Sequence, residues 1–107
     1  MNDPSTDVTI THADQNTQQT IGGIYTAHLA GEDSTGTLEW EEHPFRDHTR
    51  IATHTIVPPK IGGRGIAGLL VERLIADART HGFKIIPQCW YVKDKFDENP
   101  DWADVRA

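Results

Sequence analysis

A chain of 107 residues fits one domain and is short for two. Ten basic against 16 acidic side chains leave a net charge of −6 with histidine neutral, which argues against nucleic acid and against an anionic membrane as partners, because both are met by clustered Lys and Arg. Apolar residues make up only 36% of the chain, so a core must be concentrated in a few elements.

No run approaches the roughly 20 apolar residues of a membrane span. The N-terminus, residues 1–7, is polar and acidic, lacks the charged-then-apolar order of a signal peptide, and reads as a tail. That leaves 8–107 as the single domain. The lone cysteine, Cys89, has no intramolecular partner, which points to a reduced thiol in a soluble cytoplasmic protein.

In chain order, Val8-Thr9-Ile10-Thr11 alternates apolar and polar and predicts a strand. Residues 13–19 are polar and turn-like. Tyr25, Ala27 and Leu29 repeat at period two and predict a strand over 24–29. Gly31-Glu32-Asp33-Ser34 is a turn. Thr37, Leu38 and Trp40 mark a strand over 35–42, and His43-Pro44 breaks it. Residues 50–57 are β-branched and predict a fourth strand, with Ala52, His54 and Ile56 on one face; Pro58-Pro59 ends it, since proline donates no ladder hydrogen bond. Short polar turns between these strands predict an antiparallel meander.

The period then becomes helical over 65–81. Ile66, Leu70, Val71, Leu74, Ile75 and Ala78 form the apolar stripe, Arg73 and Asp77 an i, i+4 pair, and Gly82 a natural stop. Residues 84–87 predict a short strand, parallel to the one before the helix and reached by a right-handed crossover. A short helix follows over 90–97, stopped by Asn99-Pro100, with Trp102 and Val105 docking a last turn. The fold class is therefore α+β: an antiparallel β-meander followed by a βαβ unit, a mixed sheet with helices packed on it.

The segment joining the fourth strand to the helix, Ile61-Gly62-Gly63-Arg64-Gly65-Ile66-Ala67, carries the clearest chemistry. Glycines let backbone approach a ligand, and the helix behind them presents free N–H groups and a positive dipole end. Together they suit an anion such as a phosphate. Lys60 and Arg64 add positive charge in an otherwise acidic chain. The competing reading is a turn that only lets strand and helix pack. The Walker loop is excluded, because it needs Gly-Lys-Ser/Thr at its end. Gly63, Gly65 and Gly68 match the dinucleotide spacing literally, but that fingerprint opens a larger doubly wound domain.

At this point the chain resembles the GNAT acetyltransferases, in particular their small single-domain branch. Three segments carry the resemblance: His54-Thr55-Ile56-Val57-Pro58-Pro59, Gly63-Arg64-Gly65-Ile66-Ala67-Gly68-Leu69-Leu70-Val71, and Ile86-Pro87-Gln88-Cys89-Trp90-Tyr91-Val92. It covers roughly residues 24–105. The family's phosphate loop has the form Gln/Arg-x-x-Gly-x-Gly/Ala and falls on Gly62 to Ala67, with Gly62 in place of the usual first side chain. The resemblance implies a GNAT-like fold and acetyl-CoA as coenzyme, held by Gly62, Gly63, Arg64, Gly65, Ile66 and Ala67. It implies that the pantetheine arm lies along the end of the fourth strand, at Thr55, Ile56 and Val57, where two parallel strands splay apart.

Acetyl transfer to an amine needs a base, a group to meet the leaving thiolate, and a donor for the developing oxyanion. His54 is the candidate base, with a half-buried structural histidine as the competing reading. Cys89 follows the last strand at the start of the predicted helix, where a thiol is acidified and can act as nucleophile or acid; a small buried apolar residue is the competing reading. Tyr91 is a candidate acid by resemblance and a packing residue otherwise. Trp40, Trp90 and Trp102 read as core and rim, and Glu41-Glu42 as solvated surface, with attraction of a cationic amine as the competing reading. His12, His28, His43, His48 and His81 show no zinc-ligand spacing with a cysteine, so no metal is expected. The expected function is N-acetyl transfer from acetyl-CoA to a primary amine of a small molecule or a protein. The rival is an acyl-CoA-binding or protein-interaction module of the same fold with little catalysis.

Overall fold

The computed structural model describes residues 7–107. The tail expected over 1–7 lies outside these residues except for Asp7, whose carbonyl accepts the Ala30 amide at 3.1 Å.

Strands β1 (Val8–Asp14), β2 (Gly22–Leu29), β3 (Thr35–Glu42), β4 (Thr49–Ile56) and β5 (Lys84–Pro87) form one five-stranded sheet in that order. The first four pair antiparallel and β5 joins β4 in parallel, so the meander and the βαβ unit are both present. Helix α1 (Ile66–His81) makes the crossover, and α2 (Trp90–Glu98) and a 3-10 turn (Pro100–Val105) close the chain. β1 runs past the predicted 8–11 to Asp14. Its later residues lack an apolar alternation but are held by the partner strand, His12 opposite Tyr25 and Asp14 opposite Gly23. His12 is further fixed by the Trp40 indole, whose Nε1 donates to His12 Nε2 at 3.0 Å.

The core lies on one side of the sheet. Tyr25, Ala27, Leu29, Leu38, Trp40, Ala52 and Ile85 are buried there against the α1 stripe of Ile66, Leu70, Val71, Leu74, Ile75 and Ala78. The helix sits so close that a Cβ on Gly36 would lie 2.9 Å from Ile66 Cγ2, which makes glycine the residue that fits. Val92 and Phe96 of α2 and Val105 of the closing turn join the same cluster. The other side of the sheet carries Thr11, Ile24, Thr26, Thr37, Glu39, Ile51, His54, Ile56 and Ile86, and none of these is buried. That side is uncovered among the described residues.

β4 departs from simple alternation. Leu38 pairs with Thr55 and Glu39 with His54, but Trp40 pairs with Ala52, so Thr53 is an extra residue in a β-bulge. Its hydroxyl donates to the Glu39 carbonyl at 3.2 Å. One inserted residue reverses the faces beyond it. Ala52 and Thr55 therefore both face α1, while His54 and Ile56 face the uncovered side. The expectation that His54 shares a face with Ala52 is corrected by this bulge; its grouping with Ile56 stands.

A polar staple ties helix to sheet. The buried Tyr25 donates its Oη–H to Asp77 Oδ2 at 2.7 Å. Arg73 donates Nε–H to Asp77 Oδ1 at 3.2 Å and Nη1–H to the Ile10 carbonyl at 3.1 Å. Burial, with Asp77 beside it, pushes the Tyr25 phenol up from its ordinary range and keeps it a donor. Tyr25→Phe is expected to cost about 2 kcal/mol, the value of a hydrogen bond to a charged partner. Equilibrium urea unfolding measures it, and an unchanged midpoint would remove the staple from the stability of the fold.

Candidate active site

The glycine loop begins with a 3-10 turn (Pro59–Ile61) anchored by the fully buried Ile61. Gly63 and Gly65 take φ of 76° and 74°, and a Cβ on either would meet nothing within 4 Å. Backbone conformation, rather than crowding, calls for glycine there. Gly65 caps α1, and no side chain bonds the helix's N-terminal amides. The first bond across the cap runs from the Leu69 amide to the Gly65 carbonyl at 3.1 Å, so the amides of Ile66, Ala67 and Gly68 have no acceptor within the helix. Amides free in this way at a helix N-terminus are the donors an anion can use.

The two cations beside it are already engaged. Arg64 Nη2 lies 3.5 Å from Glu32 Oε1 and Lys60 Nζ lies 3.9 Å from Glu32 Oε2. Glu32 belongs to the β2–β3 turn and had no role in the sequence reading. Its sequence distance from the loop exceeds any local pattern, and only the meander brings the two together.

At the end of β5 the sheet opens. The parallel ladder stops at Ala52 opposite Pro87. The Gln88 amide turns back to the Ile86 carbonyl at 3.0 Å, and the Cys89 amide takes the Ala52 carbonyl at 2.9 Å. β4 continues through Ile56 with no strand paired to it on that side beyond Ala52. Thr55 and Ile56 lie on this free stretch, and Val57 follows it directly.

Cys89 sits at this parting as the N-cap residue of α2 and is buried. Its Sγ donates to Thr55 Oγ1 at 3.5 Å. Burial pushes the thiol up, but the Thr55 hydroxyl and the backbone of Val92, Tyr91 and Thr55 outweigh it, so the thiol titrates below its ordinary range. Sequence reasoning assigned Thr55 only a backbone role; its hydroxyl contact to Cys89 requires the bulge, which turns Thr55 toward α1.

Tyr91 is half-buried in the first turn of α2, and its Oη lies 3.7 Å from the position a Cβ on Gly68 would take. It therefore stands beside the first turn of α1. His54 is exposed on the opposite face, with Nδ1 3.7 Å from Glu39 Oε2. The structure thus brings together the glycine loop, Thr55, Cys89 and Tyr91 on the α1 side, and sets His54 on the other side of the same opening. Trp40 is core and Trp102 half-buried against Phe96, as read, whereas Trp90 is 73% exposed beside Cys89. Cavities of about 440 Å³ beside Asp7 and His28, and about 470 Å³ beside Ile21, Glu41 and Ile51, are lined by none of these residues.

The meander, the parted parallel strands and the glycine-capped helix together define an acetyltransferase architecture. A model of the GCN5-related N-acetyl-transferase family matches residues 24–105, and the chain belongs to that family.

The thiol at the parting is testable on the protein alone. In Thr55→Val the burial that raises the thiol remains while the hydroxyl that lowers it is lost. The pH midpoint for alkylation of Cys89 by iodoacetamide is expected to move to higher pH, because the thiolate is the reactive form. A profile that superimposes on wild type would rule out Thr55 as the group that holds the thiolate.

Proposed function

We propose that this protein is an acetyl-CoA-dependent N-acetyltransferase acting on a primary amine, carried by a small molecule or a protein. The observation that supports it most is the opening between β4 and β5, with the acidified Cys89 on the glycine-loop side and His54 on the other. The loop fits the coenzyme's diphosphate by its donors: the uncapped amides of Ile66, Ala67 and Gly68, the exposed backbone of Gly63 and Gly65, and the side chains of Arg64 and Lys60, while Gly62, whose amide already donates to the Pro59 carbonyl, gives room for close approach. Thr55, Ile56 and Val57 suit the pantetheine arm through the stretch of β4 that no strand pairs beyond Ala52. When bound, the coenzyme supplies the acetyl group as an activated thioester.

In this reading Cys89, as thiolate, accepts the acetyl group at sulfur: a new sulfur–carbon bond forms, the donor's carbon–sulfur bond breaks, and the electron pair leaves on the donor sulfur. Tyr91 provides the proton for that departing sulfur. His54 takes a proton from the incoming ammonium on the uncovered face, and the neutral amine attacks the acetyl carbon through the opening. Cys89 leaves as thiolate, the second proton of the attacking nitrogen passes to the Tyr91 phenolate, and the His54 imidazolium gives its proton to solvent, which restores the starting state.

The test is turnover of acetyl-CoA against a panel of amines, followed by thiol release and by mass spectrometry of the protein. Wild type is expected to release thiol and acetylate an amine, and to carry an acetyl adduct that Cys89→Ala lacks. Cys89→Ala is expected to lose at least about 10²-fold in kcat. Full turnover by Cys89→Ala would sink the covalent step, and coenzyme binding without thiol release would favour a binding module.

The loop has its own expected outcome. Arg64→Ala should weaken binding of CoA about 10-fold, the loss of one charge-assisted contact, and added salt should shrink the difference. Titration followed by tryptophan fluorescence measures it. Equal affinity for the two proteins would take Arg64 out of the coenzyme site.

A further inference from the structure

The uncovered face of the sheet holds a pair that the reaction above uses only by half. Glu39 and His54 stand opposite each other on β3 and β4 with Oε2 and Nδ1 3.7 Å apart. Their side chains are 37% and 66% exposed, so neither is held there by burial. The bulge creates the pair. Without Thr53 as the extra residue, His54 would turn to the α1 side with Ala52. The Thr53 hydroxyl bonds the carbonyl of Glu39 itself at 3.2 Å. The residue that turns His54 outward is thus tied to the strand position that carries the carboxylate.

An imidazole that accepts a proton at Nε2 must carry its hydrogen on Nδ1, and the partner of Nδ1 decides whether it does. A carboxylate facing Nδ1 selects that tautomer and fixes the ring plane, as in other base-orienting pairs. Such contacts are commonly long in the free enzyme and tighten when substrate binds.

We propose that Glu39 is the positioning residue for His54: its carboxylate accepts the Nδ1–H, leaves Nε2 as the proton acceptor, and makes the uncovered sheet face the side from which the amine arrives. The proposal rests on His54 being the base. The ammonium gives its proton to Nε2. Its nitrogen then forms the new bond to the acetyl carbon, the carbon–sulfur bond breaks with its electrons on sulfur, the nitrogen's second proton is lost to water, and the imidazolium returns the first to solvent.

Two measurements test it, with Glu39→Gln and Glu39→Ala read together because a glutamine oxygen can also accept from Nδ1. The first is the tautomer of His54 by long-range proton–nitrogen NMR of the neutral ring, using the protein alone. Wild type is expected in the Nδ1–H form and Glu39→Ala in a mixture or the Nε2–H form. An Nε2–H wild type, or no change in Glu39→Ala, overturns the proposal whatever the activity. The second is kcat with acetyl-CoA and either Nα-acetyl-lysine amide or glycinamide. Glu39→Ala is expected to lose about 10-fold with the lysine probe and less with glycinamide, whose α-amine titrates near 8 rather than near 10.4 and needs the base less. In a His54→Gln background the Glu39 change should have no further effect. A loss that persists in that background, or is equal for the two amines, marks a structural role and overturns the proposal. Full activity of His54→Gln would overturn the base reading itself, an outcome distinct from normal activity of the Glu39 variants alone.

Discussion

Proline at position 87 ends the pairing of β5 with β4, and the candidate site follows from that interruption. Pro87 has no N–H to extend the ladder beyond Ala52, so the chain turns at Gln88 and the Cys89 amide takes the Ala52 carbonyl instead. β4 then runs on alone. Unpaired backbone on a sheet edge seeks a partner, and a ligand with amide groups can supply one. The same turn delivers Cys89 to Thr55, starts α2 at Trp90, and sets Tyr91 beside Gly68. Moving the last ladder pair by one residue would displace all of these at once.

The second constraint is the bulge at Thr53. A strand of strict alternation would direct Ala52, His54 and Ile56 to one side and Thr53 and Thr55 to the other. One extra residue breaks that rule and divides the chemistry between two faces. The thiol and its hydroxyl partner meet on the side closed by α1, where burial and hydrogen bonds decide the thiol's acidity. The imidazole and carboxylate meet on the side that no helix covers among the described residues. A sheet with one packed and one open face suits a chain with few apolar residues, since it needs only one core.

Electrostatics adjusts the picture of the glycine loop. Arg64 and Lys60 are not free charges, because both lie within ion-pair distance of Glu32. An anion at the loop, as proposed, would compete with that carboxylate. Exposed pairs of this kind contribute little to stability, so the exchange costs little. The amides of the α1 N-terminus have no such competitor among the hydrogen bonds of the fold.

The strands, the long helix and their order were legible in the sequence because they obey short-range rules: period two for β2 and β3, period 3.6 for α1, and Gly or Pro at the breaks. The glycine loop and the N-cap position of Cys89 were legible for the same reason. What the sequence by itself determined was therefore the α+β class, the glycine-rich turn into the helix, and the residue types available for chemistry. Only the tertiary structure decided that His54 leaves the face of Ala52, that Thr55 meets Cys89 through its hydroxyl, that Glu32 holds the loop cations, and that Glu39 faces His54. The physical reason is range. A bulge is the outcome of how two strands register against each other, and these contacts join residues that approach only after the meander and the crossover have closed, so no local pattern in the chain carries them.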